Sequence, residues 1–193
     1  MKEFDVSIRQ DAAMGRDVLE RRAMSLEEFD ALPREVRAEY VDGVALMSPP
    51  SSGGHQDAEV ELVIALREAL PGLVVRPEVG FQFPWGTRRI ADVAVQAVRD
   101  DVLWSSEVPL IIVEVHSPST RNEDLFAKTR DYLRAGVGQY WLVDRQLGTL
   151  TVLARADGAW QPVLELDADH PTGEVSLGEH GTISLDLVAL LGG

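Results

Sequence analysis

The chain has 193 residues, enough for one domain with a real core and too few for two ordinary ones. Its 45% hydrophobic and 26% charged residues suit a globular protein and exclude a disordered one. The absence of cysteine excludes disulfides and thiolate metal sites, and a formal net charge of −14 argues against a non-specific nucleic-acid coat.

Residues 1–23 show no clear period and read as a poorly ordered lead-in. They are charged throughout and lack the apolar centre of an export signal. No apolar run reaches bilayer length, so a cytoplasmic protein with no membrane contact is expected. Residues 24–193 read as a single domain with its core in about residues 55–144. Ser25 followed by Glu28 predicts a capping box before a short helix that Pro33 ends. Asp42-Gly43 between apolar flanks predicts a tight hairpin. The run PPSSGG is a loop, and residues 55–70 then carry Ala58, Leu62, Ala65, Leu66 and Ala69 at helical spacing.

Three strand-like runs follow: LVVRPEVGFQF, IADVAVQAV and LIIVEV. The first two are joined by a PWGT turn, and the third is the most hydrophobic and so the central one. Residues 123–135 read as a helix stopped by Gly136, followed by the buried strand QYWLVD. That strand–helix–strand unit predicts a parallel, right-handed crossover. A hairpin turning at Asp157-Gly158 and a last strand or helix complete the chain. The expected architecture is a mixed β-sheet flanked by helices, of the α/β (α+β) class, with an added N-terminal hairpin and added C-terminal strands.

Two acids break the apolar runs. Asp92 and Glu114 each sit inside a β-branched strand, where an uncompensated carboxylate is costly. A divalent cation such as Mg²⁺ would compensate them, and it suits phosphodiester hydrolysis because it neutralises phosphoryl oxygens and activates water. Lys128 stands out by composition: the chain has sixteen Arg and one other Lys, Lys2. A compact amine can do what a guanidinium cannot, although pairing with Asp124 one turn earlier would account equally well for an ordinary surface lysine. After Arg155 there is no Lys or Arg while seven acids follow, which reads as a solvated acidic tail. Nucleic acid is an expected partner only if Arg88, Arg89, Arg121, Lys128, Arg130 and Arg134 gather on one face.

Taken together, EYVDG at 39–43, SPPSSGGHQ at 48–56, IADVAV around Asp92, VEVHSPST at 113–120 and DLFAKTRDYLRAGVGQYWLVD at 124–144 resemble the Uma-two family of restriction-endonuclease-like proteins. That family belongs to the PD-(D/E)XK nuclease superfamily, and the resemblance covers about residues 24–153. It implies a restriction-endonuclease-like fold and a Mg²⁺- or Mn²⁺-dependent endonuclease acting on DNA as a homodimer. It also implies roles. Asp92 and Glu114 would be metal ligands, with the backbone carbonyl of Val115 a candidate third. Glu39 would complete the acidic cluster, and Lys128 would act from the helix in place of a strand lysine. Two positions depart from the pattern: Ala91 precedes Asp92 where the motif has proline, and His116 occupies the strand position of the lysine. His116 reads either as a base near a metal-bound water or as a strand-end histidine bonded to backbone. His55, Arg121 and Tyr132 are expected at the edge of the site. A catalytically silent protein that keeps the scaffold for binding or assembly remains the alternative.

Overall fold

The computed structural model describes residues 20–116 and 123–192. Its centre is a nine-stranded mixed sheet in which eight strands run in the order β1-β3-β2-β5-β6-β7-β8-β9, with β4 also paired to β5.

The entry to the sheet follows local chemistry. β1 (Glu20–Ala23) leads into α1 (Leu26–Asp30). The Glu28 N–H donates to Ser25 Oγ at 3.2 Å, and the Ser25 N–H donates to Glu28 Oε2 at 2.7 Å, so both halves of the capping box form. β2 (Ala38–Val41) and β3 (Val44–Met47) are joined at Asp42 and Gly43, whose φ angles of 49° and 82° give the primed turn that matches strand twist. β1 pairs with β3, a strand that nothing in its exposed sequence ERRA announces.

α2 (Gly53–Ala69) follows, beginning two residues before the expected start because Ser52 caps it. β4 (Val74–Gln82) and β5 (Arg88–Gln96) form the antiparallel pair expected across the PWGT turn. β6 (Ile111–His116) pairs antiparallel with β5 and parallel with β7 (Gln139–Asp144). The crossover between β6 and β7 holds a π-helical turn (Glu123–Lys128) and α3 (Thr129–Ala135), which Gly136 ends at φ 91°. β8 (Thr149–Ala156) and β9 (Ala159–Leu166) make the Asp157-Gly158 hairpin. β10 (Thr172–Ser176) pairs with β11 (Thr182–Asp186), and α4 (Leu187–Leu190) closes the described chain.

β5, β6 and β7 are buried on both faces, which is why their sequences run apolar instead of alternating. On one face Val93, Val95, Val113, Val115 and Trp141 pack on Ala58, Leu62 and Leu66 of α2. On the other, Ala94, Ile112 and Tyr140 pack on Tyr132 of α3. The acidic C-terminal region is more than a solvated tail. Its acids point outward, while Val175, Ile183, Leu185, Leu187 and Leu190 complete the α2-side core.

Candidate active site

The site lies in an opening of the sheet. Along one edge of β5, β6 pairs with Val93–Val95 and β2 meets Arg88. Residues 89–92 fall between the two. Main-chain groups that a neighbouring strand would otherwise take are taken by side chains, as buried polar groups require. The Ile90 N–H donates to Glu39 Oε1 at 2.9 Å, Lys128 Nζ donates to the Ile90 carbonyl at 3.2 Å, and the Val115 N–H donates to Asp92 Oδ2 at 2.8 Å. The same gap thus draws together residues from β2, β5, β6 and the crossover helix.

Lys128 is the hub. Its Nζ lies 2.8 Å from Glu114 Oε2 and 3.1 Å from Glu39 Oε1, and the residue is only 5% exposed. It is therefore no surface lysine. The π-helical turn that ends at Lys128 widens the backbone just before it, a feature that often marks functional sites. The Tyr132 hydroxyl donates to the other oxygen of Glu114 at 2.8 Å. Tyr132 thus packs the helix and also reaches the site.

A second tier holds this one. Arg89 has no exposed surface. It donates to Glu39 Oε2 at 2.9 Å and, from Nε and Nη2, to Asp131 Oδ2 at 3.0 and 2.7 Å. Arg37 donates to Asp92 Oδ1 at 2.9 Å. His55 Nε2 lies 3.0 Å from Glu59 Oε1 and 3.5 Å from Asp92 Oδ2.

These contacts set the charge states. Burial works against ionisation of Asp92, but the hydrogen bond from His55 and the charges of Lys128 and Arg37 hold its pKa down at about 2. Burial likewise opposes the charge on His55, and the carboxylates of Asp92 and Glu59 overcome it, raising the imidazolium to about 10. Glu39 is also held below its ordinary value, Lys128 and Arg89 outweighing its burial. Burial pushes the Tyr132 hydroxyl well up, with Glu114 and Glu39 adding to the effect, so it stays a donor.

Sequence-expected residues divide as follows. Glu39, Asp92, Glu114, Lys128 and Tyr132 line one opening. Val115 meets Asp92 through its N–H. His55 stands at the start of α2 against Asp92. His116 ends β6, with Nδ1 3.9 Å from Asp144 Oδ2 on β7. Asp144 itself accepts from the N–H groups of Gln146 and Leu147 and so forms the turn after β7. Arg121 lies outside the described residues. The expected basic face is largely committed elsewhere: Arg88 pairs with Asp30, Arg89 is internal, and Arg134 lies over the Trp85 ring. Arg37, Glu59 and Asp131 were not anticipated, and Arg89 was expected only on a basic face. Glu59 was accessible in principle, because it stands four residues after His55 on a predicted helix and so shares its face.

Asp92, Glu114 and Glu39 are buried hard-oxygen donors, and that donor chemistry fits a Mg²⁺-class cation. A groove of about 560 Å³ is lined by Phe29, Pro33, Arg34, Arg37, Ile90 and Trp104 among others. Two of these, Arg37 and Ile90, connect it to the site by their hydrogen bonds with Asp92 and Lys128.

A family model described as "Putative restriction endonuclease", Uma2, matches residues 26–187. The chain belongs to the Uma2 family. No curated protein matches it. The fold is shared with a crystal structure of a putative nuclease belonging to DUF820 from Anabaena variabilis. The TM-score is 0.70 at 20% identity, over 87% of this chain and 97% of that one. The family model sets this Uma2 chain among proteins described as putative restriction endonucleases, and the solved structure shows the shared fold. Among the described residues, no helix is long and apolar enough to cross a membrane.

Proposed function

We propose that this chain is a metal-dependent endonuclease that hydrolyses phosphodiester bonds in DNA. The observation that carries the reading is the buried Lys128 ammonium between Glu114 and Glu39, beside Asp92 in a gap of the sheet. An ammonium aimed at carboxylates in an opening served by a groove is suited to meeting a phosphate.

Asp92 and Glu114 would hold Mg²⁺ or Mn²⁺, with the Val115 carbonyl beside them. The bound ion would polarise the phosphoryl oxygen and lower the pKa of its water. The chain's own residues do the rest. Tyr132 fixes the rotamer of Glu114, and Arg89 fixes Glu39. Glu39 in turn helps hold the Lys128 ammonium in the opening, where it can offset developing negative charge on the phosphate. Arg37 and Arg34 line the groove along which a strand would approach. His116 ends β6 beside Asp144 and takes no step in this reading. A cytoplasmic homodimer fits this reading, because a duplex offers two symmetric strands.

One observation favours a second reading, a silent scaffold used for binding. Each carboxylate oxygen of Asp92 and Glu114 already accepts from a protein donor: Arg37, the Val115 N–H, Tyr132 and Lys128.

The deciding experiment incubates purified protein with plasmid and single-stranded DNA, with and without Mg²⁺ or Mn²⁺, alongside Asp92→Ala and Glu114→Ala. Metal-dependent cleavage that both variants lose is the expected result. Equal background from all three proteins would end the nuclease proposal. Calorimetry showing a Mg²⁺ site that Asp92→Asn removes would count against the silent scaffold.

A further inference from the structure

On the α2 side of Asp92 lies a donor set that the roles above leave unused. His55 and Glu59 occupy successive turns of α2, and the helix sets i and i+4 side chains one above the other. Asp92 faces them from β5. One ligand atom from each of the three lies within 4.8 Å of the other two, and all three residues are buried. His55 Nε2 is 3.0 Å from the Glu59 oxygen and 3.5 Å from the Asp92 oxygen.

We propose that His55, Glu59 and Asp92 form a divalent transition-metal site, distinct from the Asp92–Glu114 position and joined to it through Asp92. Metal–ligand bonds of about 2.0–2.2 Å set neighbouring donors roughly 3.0–3.5 Å apart in tetrahedral or octahedral shells. The His55–Glu59 and His55–Asp92 separations already fall in that range. A single Nε2–H cannot serve both carboxylates well, whereas a cation at the centre of the triangle meets all three donors at once. The ion takes the place of a proton. His55, held as an imidazolium by the two carboxylates, releases its Nε2 proton to solvent on binding, and two carboxylates with the resulting neutral imidazole balance a doubly charged ion. The imidazole decides the class of metal, because nitrogen donors favour Mn²⁺, Co²⁺ or Zn²⁺ over Mg²⁺.

The geometry separates this position from the other one. Glu114 and its partners Lys128 and Tyr132 belong to the crossover-helix side, where Tyr132 packs with Ala94 and Ile112. Ala58, next to Glu59 on α2, packs in the opposite core with Val93 and Val113. Asp92, set where the β5–β6 pairing ends, is the residue that both sides can address. The inference goes beyond the nuclease reading, since these donors can bind a cation whether or not the chain cuts DNA.

The test adds Mn²⁺ to metal-stripped full-length protein and records both the number of bound ions and the pulsed-EPR spectrum, which reports a directly bonded imidazole nitrogen. The expected result is bound Mn²⁺ with nitrogen coupling. His55→Gln should abolish that coupling, and Glu59→Gln should weaken binding by at least about tenfold, on the scale seen when a site loses a supporting group. Glu114→Gln should leave the coupling in place. Thermal melts identify any variant that has failed to fold, and the wild-type spectrum with the remaining variants then decides. Three outcomes overturn the proposal: no bound Mn²⁺, bound Mn²⁺ without nitrogen coupling, or coupling that survives His55→Gln. DNA cleavage is scored separately, so a missing nuclease activity and a missing metal site remain distinguishable.

Discussion

Arg89 is the side chain whose loss should be felt most in stability. It has no exposed surface and stands between Glu39 and Asp131, both buried. Replacing it with Met keeps the volume and leaves two carboxylates without their shared cation. Removing one partner of a buried ion pair costs about 3–5 kcal/mol, because the remaining charge is uncompensated. Urea denaturation of Arg89→Met should show a loss of that order, and a loss under about 1 kcal/mol would mean that the carboxylates find other partners. Tyr132→Phe should act differently. It removes one donor from Glu114 and keeps the ring packing on Phe83 and Tyr140, so a modest loss of about 1 kcal/mol is expected in the same measurement. The sequence showed Asp92 and Glu114 because a carboxylate inside an apolar strand is conspicuous. It hid Arg89 for the opposite reason: an arginine beside a turn and another arginine reads as a strand end in water. Arg37 was hidden likewise, since its partner Asp92 lies 55 residues away and only the folded sheet brings them together.

At the level of elements, periodicity announced α2, β5, β6 and β7, whose cores are apolar at the expected spacing. β1 and β10 were not announced. ERRA and TGEVS carry little apolar pattern, and each becomes a strand only because a distant or later segment offers a free edge. The connection between β5 and β6 shows how polar groups stand in for a missing pattern. Asp100 accepts from the Ser105 hydroxyl at 2.6 Å and from Arg76 Nη2 at 3.0 Å. Ser105 in turn is bonded through its backbone to Gly80 and Gln82 of β4. The hydrogen bond from Ser105, with Arg76 adding to it, holds the Asp100 carboxyl below the ordinary aspartate value of 3.8. A depressed carboxylate stabilises the fold above its unfolded pKa, and the contribution fades as pH falls through the lower folded value. Asp100→Asn should therefore be less stable than wild type at pH 7. The gap between the two melting temperatures should narrow as the pH drops below about 3.8. A gap that stays constant down to pH 2 would show that Asp100 acts through shape and not through charge. The C-terminal unit can be tested by packing alone. Ile183 is fully buried, so Ile183→Ala should cost about 2–5 kcal/mol even though it lies in the most acidic part of the chain.

The whole molecule poses a problem for any nucleic-acid partner. It carries a net charge of −14, and much of its cationic equipment is already paired internally: Arg37 with Asp92, Arg76 with Asp100, Arg88 with Asp30, Arg89 with Glu39 and Asp131, Lys128 with Glu114. Such a surface repels a polyanion at long range. Attraction then has to come from divalent cations placed in the opening and from a short stretch of groove carrying Arg34 and Arg37. Two consequences follow for DNA binding measured by fluorescence anisotropy. With EDTA present, binding should be weak. With Ca²⁺ (an oxygen-seeking ion chosen to favour binding over cleavage) it should strengthen by at least about tenfold, because the ion bridges carboxylates and phosphate. The salt dependence should be shallow. Each neutralised phosphate contributes a slope of about −0.9 in log K against log salt, and a footprint of two or three cations predicts a slope of roughly −2 to −3. A slope near −6, or an affinity that EDTA leaves unchanged, would require an extended basic face that the described residues do not provide. The metal-bridged approach would then be wrong even if the chain proved to cut DNA.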